Sequence, residues 1–327
     1  MAHEFTDMPD IVIEFLNYML TIKNKSQKTI SEYHYDLRTF LRYIKVTKYS
    51  ANEKDFTSIS VTDITLDDIK KIDLTDLYSF MAFISRDRNN TAVTRARKVA
   101  CLKSFYRYLH TKVKLIETNP TAELDSPKLV RRLPKYLNLE ESVNLLQSVD
   151  GKKNVARDYA ILTLFMNCGL RLSELVGINI NSIRGDILTV VGKGNKERTV
   201  YLNQACQDAI AAYKAERDKL KTIKDPKALF LSERKVRISP KTVQYLVKKY
   251  IQASGLDPDK YSPHKLRHTA ATLMYKHGNV DIRALQAILG HESIATTEIY
   301  THIDEDQLRK AVKSNPLSSV KPKKKDN

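Results

Sequence analysis

Apolar positions recur at three- and four-residue intervals through most of the chain, the spacing that places them on one face of a helix. Pro9 to Ile22 is rich in Ile, Phe, Leu, Tyr and Met and reads as a buried helix. A second helix is expected from near Thr29, where Glu32 stands three residues on at capping-box spacing. Ile30, Tyr33, Leu37, Phe40, Leu41 and Ile44 then share one face. The polar run Lys48 to Ser60 reads as a loop, and Leu66 to Ile72 and Leu74 to Ile84 as short helices. After a polar link from Arg86 to Thr94, a further helix is expected from Thr94 to His110. It carries Val99, Leu102, Phe105, Tyr106 and Leu109, with Arg95, Arg97, Lys98, Lys103 and Arg107 interleaved. Such a helix either rests on its own core and offers cations to phosphates, or shows a solvated face.

Pro120, Pro127 and Pro134, with Lys128, Arg131 and Arg132 among them, interrupt helical continuity and mark an interdomain linker. The expected division is a helical N-terminal domain over 1–126, a linker over 127–136, a second domain over 137–315 and a basic tail over 316–327. Leu139-Glu140-Glu141 opens the helical pattern of the second domain, and Asp158 to Asn167 is an apolar helix. Ile187 to Val191 and Arg198 to Leu202 are β-rich runs around Gly192-Lys193-Gly194-Asn195-Lys196, which reads as a hairpin turn. Helical patterns follow over Gln204 to Leu220, Pro240 to Ala253, His264 to His277, Val280 to Leu289, Ser293 to Tyr300 and about Asp304 to Lys313. The tail from Pro316 has the Pro-, Ser- and Lys-rich composition of a disordered segment. The fold class is mainly α with a small β-sheet: a helical N-terminal domain followed by an α+β domain.

Charge changes this picture. Lys and Arg number 55 against 38 Asp and Glu, a net charge of +17 that favours a polyanionic partner, nucleic acid before an anionic membrane surface. Solubility alone is the plainer explanation of such charge. Apolar runs fall short of the roughly 18 residues that a membrane span needs. The start, with His3, Glu4 and Asp7, lacks the basic-then-apolar order of a signal peptide. Cys101, Cys168 and Cys206 are too few and too scattered for a disulfide framework or zinc site, which points to a reducing cytoplasm.

Candidate chemistry lies in the second domain: Arg171 within Gly169-Leu170-Arg171-Leu172-Ser173-Glu174-Leu175, Lys193 in the hairpin turn, His264 and Arg267 within His264-Lys265-Leu266-Arg267-His268, His291 after Leu289-Gly290, and Tyr300. Each has an ordinary alternative. Arg171 can pair with Glu174 on a surface, Lys193 can be solvated turn charge, His264 can cap a helix, His291 can follow a terminating glycine, and Tyr300 can be core. His264 and His268 have the spacing of two zinc ligands, but Lys265 stands where a zincin needs Glu, and Arg267 adds a second cation. Gly192-Lys193-Gly194 lacks the spacing of a phosphate-binding P-loop. Taken together, two arginines, a lysine and two histidines can surround a phosphate, and a tyrosine hydroxyl can attack it.

At these motifs the chain resembles the tyrosine recombinases, the integrase family that includes the bacterial Xer recombinases. Five separate motifs occur in the family's order, and Arg95 to Leu109 resembles the basic helix of the family's N-terminal, core-binding domain. The resemblance implies that Tyr300 attacks the scissile phosphate and becomes joined to the 3′-phosphate. It implies that Lys193 protonates the 5′-oxygen, that His264 assists proton transfer, and that Arg171, Arg267 and His291 hold the non-bridging oxygens. Glu174 would orient the cluster from behind. Arg95, Arg97, Lys98, Lys103, Arg107, Lys128, Arg131 and Arg132 would face DNA. No nucleotide cofactor is expected, because the phosphotyrosine keeps the phosphodiester energy, and no metal, because the arginines and lysine would do its charge work. The implied partners are double-stranded DNA with a specific site and a homo- or hetero-tetramer, into whose neighbouring subunit Asp304 to Lys313 would dock. A non-catalytic DNA-binding relative, a type IB topoisomerase and a peripheral membrane protein are the competing readings.

Overall fold

The computed structural model describes residues 5–49, 55–128, 135–151, 153–278, 280–291 and 293–297, with backbone alone at Lys193 and Ala295. The chain divides into two compact units, Met1–Arg131 and Arg132–Asn327. Calls on Arg131, Arg132, Pro134, Tyr300, Asp304 to Lys313 and the tail lie outside the described residues.

The first unit is helical: α1 (Asp10–Thr21), α2 (Gln27–Tyr49), α3 (Leu66–Lys70), α4 (Leu74–Arg86) and α5 (Ala92–Arg107), the last running into a π-helical turn over Tyr108–Lys112. The stripe on α2 is buried as its spacing requires: Ile30, Leu37, Phe40, Leu41 and Ile44 meet α1, α4 and α5 around Phe15, Phe80 and Phe105. Caps set the ends. α2 starts two residues before the expected Thr29, because Ser26 is the cap and its hydroxyl accepts from the Thr29 amide at 3.2 Å. It also runs through Lys48 to Tyr49, so the expected loop begins later. Asp73 and Asp76 form a reciprocal capping box at the head of α4, each side chain 2.9 Å from the other's amide. Thr91 caps α5, which starts earlier than the sequence pattern suggests.

Inside this unit Asp36 is 3% exposed and takes a 2.7 Å contact from Lys98. Burial pushes the Asp36 carboxyl up, against the opposing pull of Lys98 and then Arg97. A buried carboxylate needs such partners, since each uncompensated charge in an interior costs several kcal/mol.

The second unit is built around α7 (Val155–Cys168), in which Ile161, Leu162, Leu164 and Phe165 are all fully buried. It follows α6 (Leu139–Gln147), and packs against α9 (Gln204–Arg217) and α11 (Pro263–His277). Between them come the short α8 (Leu172–Gly177) and an antiparallel sheet in the order β1 (Ile183–Arg184), β2 (Ile187–Val191), β3 (Glu197–Tyr201). The sequence reading lacked β1, whose two residues are too short to show alternation. Register pairs Leu188 with Val200 and Val190 with Arg198. Leu188, Val190 and Val200 face the core, while Ile187, Val191 and Tyr201 are exposed. α10 (Pro240–Ala253) and α12 (Ile282–Leu289) complete the unit.

Two further boundaries differ from expectation. α9 ends at Arg217 rather than Leu220, where Arg217 turns inward to the Ala228 carbonyl at 2.9 Å. The described part of Ser293 to Tyr300 is a single 3₁₀ turn, Ile294–Thr296, not an α-helix. Among the described residues no helix is long and apolar enough to cross a membrane.

The Asp36–Lys98 pair gives a stability prediction. Lys98→Met should lower the unfolding free energy by about 3 kcal/mol in urea titration, and Asp36→Leu combined with Lys98→Met should recover most of that loss. Equal destabilisation by the single and double variants would show that the pair is not what matters at this position.

Candidate active site

Segments far apart in sequence meet on one carboxylate in the second unit. α7 ends at Gly169 in a left-handed conformation (φ +57°), and a Cβ there would stand 2.9 Å from Leu289 Cδ2. Glycine therefore allows both the turn and the close approach of the α12 end. The chain then enters α8 with Arg171 just before it and Glu174 one turn in. The Arg171 amide donates to Glu174 Oε2 at 2.8 Å and its Nη1 to Oε1 at 2.7 Å. Arg198, from β3, donates through Nη2 to Oε2 at 2.8 Å and through Nε to Oε1 at 3.2 Å. Arg267, from α11, places Nη1 3.8 Å from Oε2.

The Glu174 side chain is 0% exposed. Burial alone would raise its pKa, but the hydrogen bonds and charge of Arg198, then those of Arg171, hold the carboxyl below its usual range. Three guanidiniums on one carboxylate leave an excess of two positive charges among these four groups.

The same arginines grip the end of α12. The Ile288 carbonyl accepts from Arg198 Nη1, the Leu289 carbonyl from Arg267 Nη2 at 2.6 Å, and the Gly290 carbonyl from Arg171 Nη2 at 2.7 Å. The last carbonyls of a helix have no partner within it and carry its negative end, so cations suit them. Arg267 Nη1 also donates to the Gly169 carbonyl at 2.7 Å. The two guanidinium planes are thus fixed from behind by carbonyl oxygens.

Histidines stand around this cluster. His291 Nδ1 lies 3.0 Å from Thr297 Oγ1. Burial, followed by the charges of Arg267, Arg171 and Arg198, pushes His291 down to about 4. His264 and His268 have Nε2 atoms 2.9 Å apart, so one ring donates and the other accepts. Burial, then His264, Lys265 and Arg267, lowers His268 to about 4, and burial, then Arg267 and Lys265, lowers His264. At neutral pH these rings are uncharged, each with one N–H to give and one nitrogen to accept a proton. Fixed cations with neutral imidazoles beside them can bind a phosphate and move a proton at its edge.

Of the residues expected from sequence, the structure brings Arg171, Glu174, Arg267 and His291 together, with His264 within electrostatic reach of Arg267 and His291. Lys193 lies in the 3₁₀ turn between β2 and β3, and its side chain is outside the described residues, as is Tyr300. Sequence reasoning gave no role in the site to Arg198, His268 or Thr297. Arg198 had a signal: in the period-two pattern of β3 it falls on the inward face with Val200.

The basic helix is a partial correction. Lys98 was expected to face DNA, but it is 7% exposed, its ammonium spent on Asp36. Arg97 pairs with Asp36 and with Glu32 at 3.0 Å, and Arg95 bonds Ser85 and the Asn90 carbonyl. The reason is the buried Asp36, which draws the nearest cations inward. Arg107 and Lys128 are exposed and Lys103 is half-buried.

The sequence signature of the Phage integrase family matches residues 135–307. Tyrosine recombinase XerC of Caldanaerobacter subterraneus subsp. tengcongensis is 56% identical over 95% of this chain and 88% of that protein. Tyrosine recombinase XerD of Proteus mirabilis is 34% identical over 92% of this chain and 91% of that protein. Among solved structures, XerH site-specific recombinase in a pre-cleavage complex with difH substrate is similar in fold, with a TM-score of 0.67 at 22% identity over 93% of this chain and 84% of that one. With the arginine cluster held as described, these likenesses give one conclusion: the chain belongs to the phage integrase family and is a tyrosine recombinase, an enzyme that cleaves and rejoins DNA.

Proposed function

We propose that the Glu174-anchored arginines bind the scissile phosphate of a specific DNA site and that Tyr300 is the nucleophile. The observation that supports this is the excess of cationic charge fixed around one buried carboxylate, beside neutral imidazoles. Arg171 and Arg267 donate to the non-bridging oxygens, where charge develops in the pentacoordinate transition state, and His291 adds a hydrogen bond. His264 accepts the Tyr300 proton. The bond from the Tyr300 oxygen to phosphorus forms as the bond from phosphorus to O5′ breaks, and Lys193 protonates the departing oxygen. A 3′-phosphotyrosine remains, and attack by the 5′-hydroxyl of a second duplex reverses the step. No ATP is consumed, because one phosphodiester is exchanged for another.

DNA as the partner is supported by the net charge of +17 and by the fold shared with XerH, a recombinase bound to its difH substrate. Lys103, Arg107, Lys128, Arg131 and Arg132 are proposed backbone contacts, with Arg95 and Arg97 contributing as far as their internal partners allow. The proposed working form is a homo- or hetero-tetramer on two duplexes that passes through a Holliday junction. The setting is the cytoplasm, in chromosome-dimer resolution or in the integration and excision of a mobile element.

Two predictions follow from this chemistry. On a nicked site that prevents religation, the unaltered chain should form a covalent DNA adduct, Tyr300→Phe should bind the DNA and form none, and Arg267→Ala should form it about 10²–10³-fold more slowly. Adduct formation by Tyr300→Phe at the normal rate would remove Tyr300 as nucleophile.

The second concerns the histidines. His268 and His291 are held at about 4 against an ordinary 6.5, so between these values the unfolded chain binds protons that the folded chain refuses. Their contribution to stability is complete above about pH 6.5 and is lost as pH falls toward 4. In NMR titration of the DNA-free protein, the His268 and His291 imidazoles should titrate near pH 4, and bound phosphate should raise both. Midpoints near 6.5 for both would contradict the site's electrostatics.

A further inference from the structure

Arg198 sits where three parts of the site touch. It is on β3, two residues beyond the turn that carries Lys193, and that turn is closed by the Gly192 amide donating to the Lys196 carbonyl at 2.8 Å. Its side chain is only 12% exposed. One edge of the guanidinium meets both oxygens of Glu174, and Nη1 donates to the Ile288 carbonyl at the end of α12. The packing is close on the α12 side. A Cβ on Gly290 would stand 2.6 Å from Arg198 Cδ, whereas one on Gly192 would reach only ordinary contact, 3.4 Å from Glu174 Oε1. Around Arg198 the hairpin is open to solvent: Val191, Glu197 and Thr199 are exposed, and the buried Val190 lies directly across the ladder.

We propose that Arg198 is a positioning residue that ties the base of the Lys193 hairpin to the Glu174 carboxylate and to the end of α12, keeping the hairpin and the arginine cluster in one register. This rests on the reading of Lys193 as the acid for O5′. A planar fork spreads its donors over three nitrogens and so spans two carboxylate oxygens and a carbonyl, whereas an ammonium carries all its donors on one nitrogen, so lysine is not an adequate replacement here. The role differs from that of Arg171 and Arg267, which are assigned to the phosphate itself. Losing the tie should misplace the acid while leaving the phosphate clamp in being, and displacements on the order of 1 Å cost about 10²-fold in rate.

The test uses the full chain and compares Arg198→Lys, Arg198→Ala, Lys193→Ala and Arg267→Ala in single-turnover cleavage of nicked site DNA. One substrate carries the ordinary O5′, the other sulfur at that bridging position. Sulfur departs as a thiolate, with a thiol pKa of about 8.5, and needs no proton donor. Arg198→Lys should bind DNA within a few-fold of the unaltered chain, cleave the oxygen substrate about 10²-fold more slowly, and recover most of that loss on sulfur. Lys193→Ala should recover likewise, and Arg267→Ala should not. If Lys193→Ala fails to recover, the acid assignment falls. The tie is then judged by hydrogen exchange at amides 192–197, which should quicken in Arg198→Lys. Unchanged exchange overturns the proposal, as does cleavage by both Arg198 variants at the normal rate, or equal loss on both substrates while Lys193→Ala recovers.

Discussion

A carboxylate sealed from water among three guanidiniums organises the catalytic unit. Burial works against an ionised Glu174, Arg198 and Arg171 offset it, and the arginines would repel one another without Glu174. An interior ion network of this kind holds only where its remaining donors are satisfied, because unpaired buried charge costs several kcal/mol. The last two carbonyls of α12 and that of its glycine cap meet that need, each taking a different arginine. Glycine at 169 and 290 follows from the same constraint, since at both positions an added Cβ would press on a member of the cluster or on the helix end it holds.

From that constraint the chemistry follows. Arginines already oriented by carboxylate and carbonyl oxygens need little reorganisation when a phosphate arrives, which is the condition under which fixed charge lowers a barrier most. The same cations, added to burial, keep His291 neutral in the absence of DNA. An anion among them would offset that field and raise the imidazole pKa, so phosphate binding and proton affinity at the site reinforce each other. The β2–β3 hairpin and the α12 end, which lead toward Lys193 and Tyr300, are both moored to this one cluster.

Much of this was legible in the sequence. Helical periodicity located the stripe on α2 and the apolar α7, and the glycine pair located the hairpin turn. The residues Arg171, Glu174, Arg267 and His291 emerged from their motifs, and they converge. What the sequence did not disclose depends on tertiary partners. Lys98 and Arg97 look like surface charge until Asp36 is found buried opposite them. Arg198 looks like one more basic residue in a basic hairpin until its strand face is known. Cys168 and Cys206, 38 positions apart, come to lie with sulfurs 3.6 Å apart because α7 and α9 pack together. Helix ends moved where a neighbouring hydroxyl, such as that of Ser26, was the better cap.

The decisive observation is where the scissile phosphorus sits. A crystal structure of the full chain on nicked site DNA should show one phosphate with its non-bridging oxygens on Arg171 and Arg267, and a Tyr300 hydroxyl about 3–3.5 Å from phosphorus. A phosphate seated away from the Glu174 cluster, or a Tyr300 hydroxyl unable to reach it from either its own subunit or a neighbouring one, would contradict the assignment.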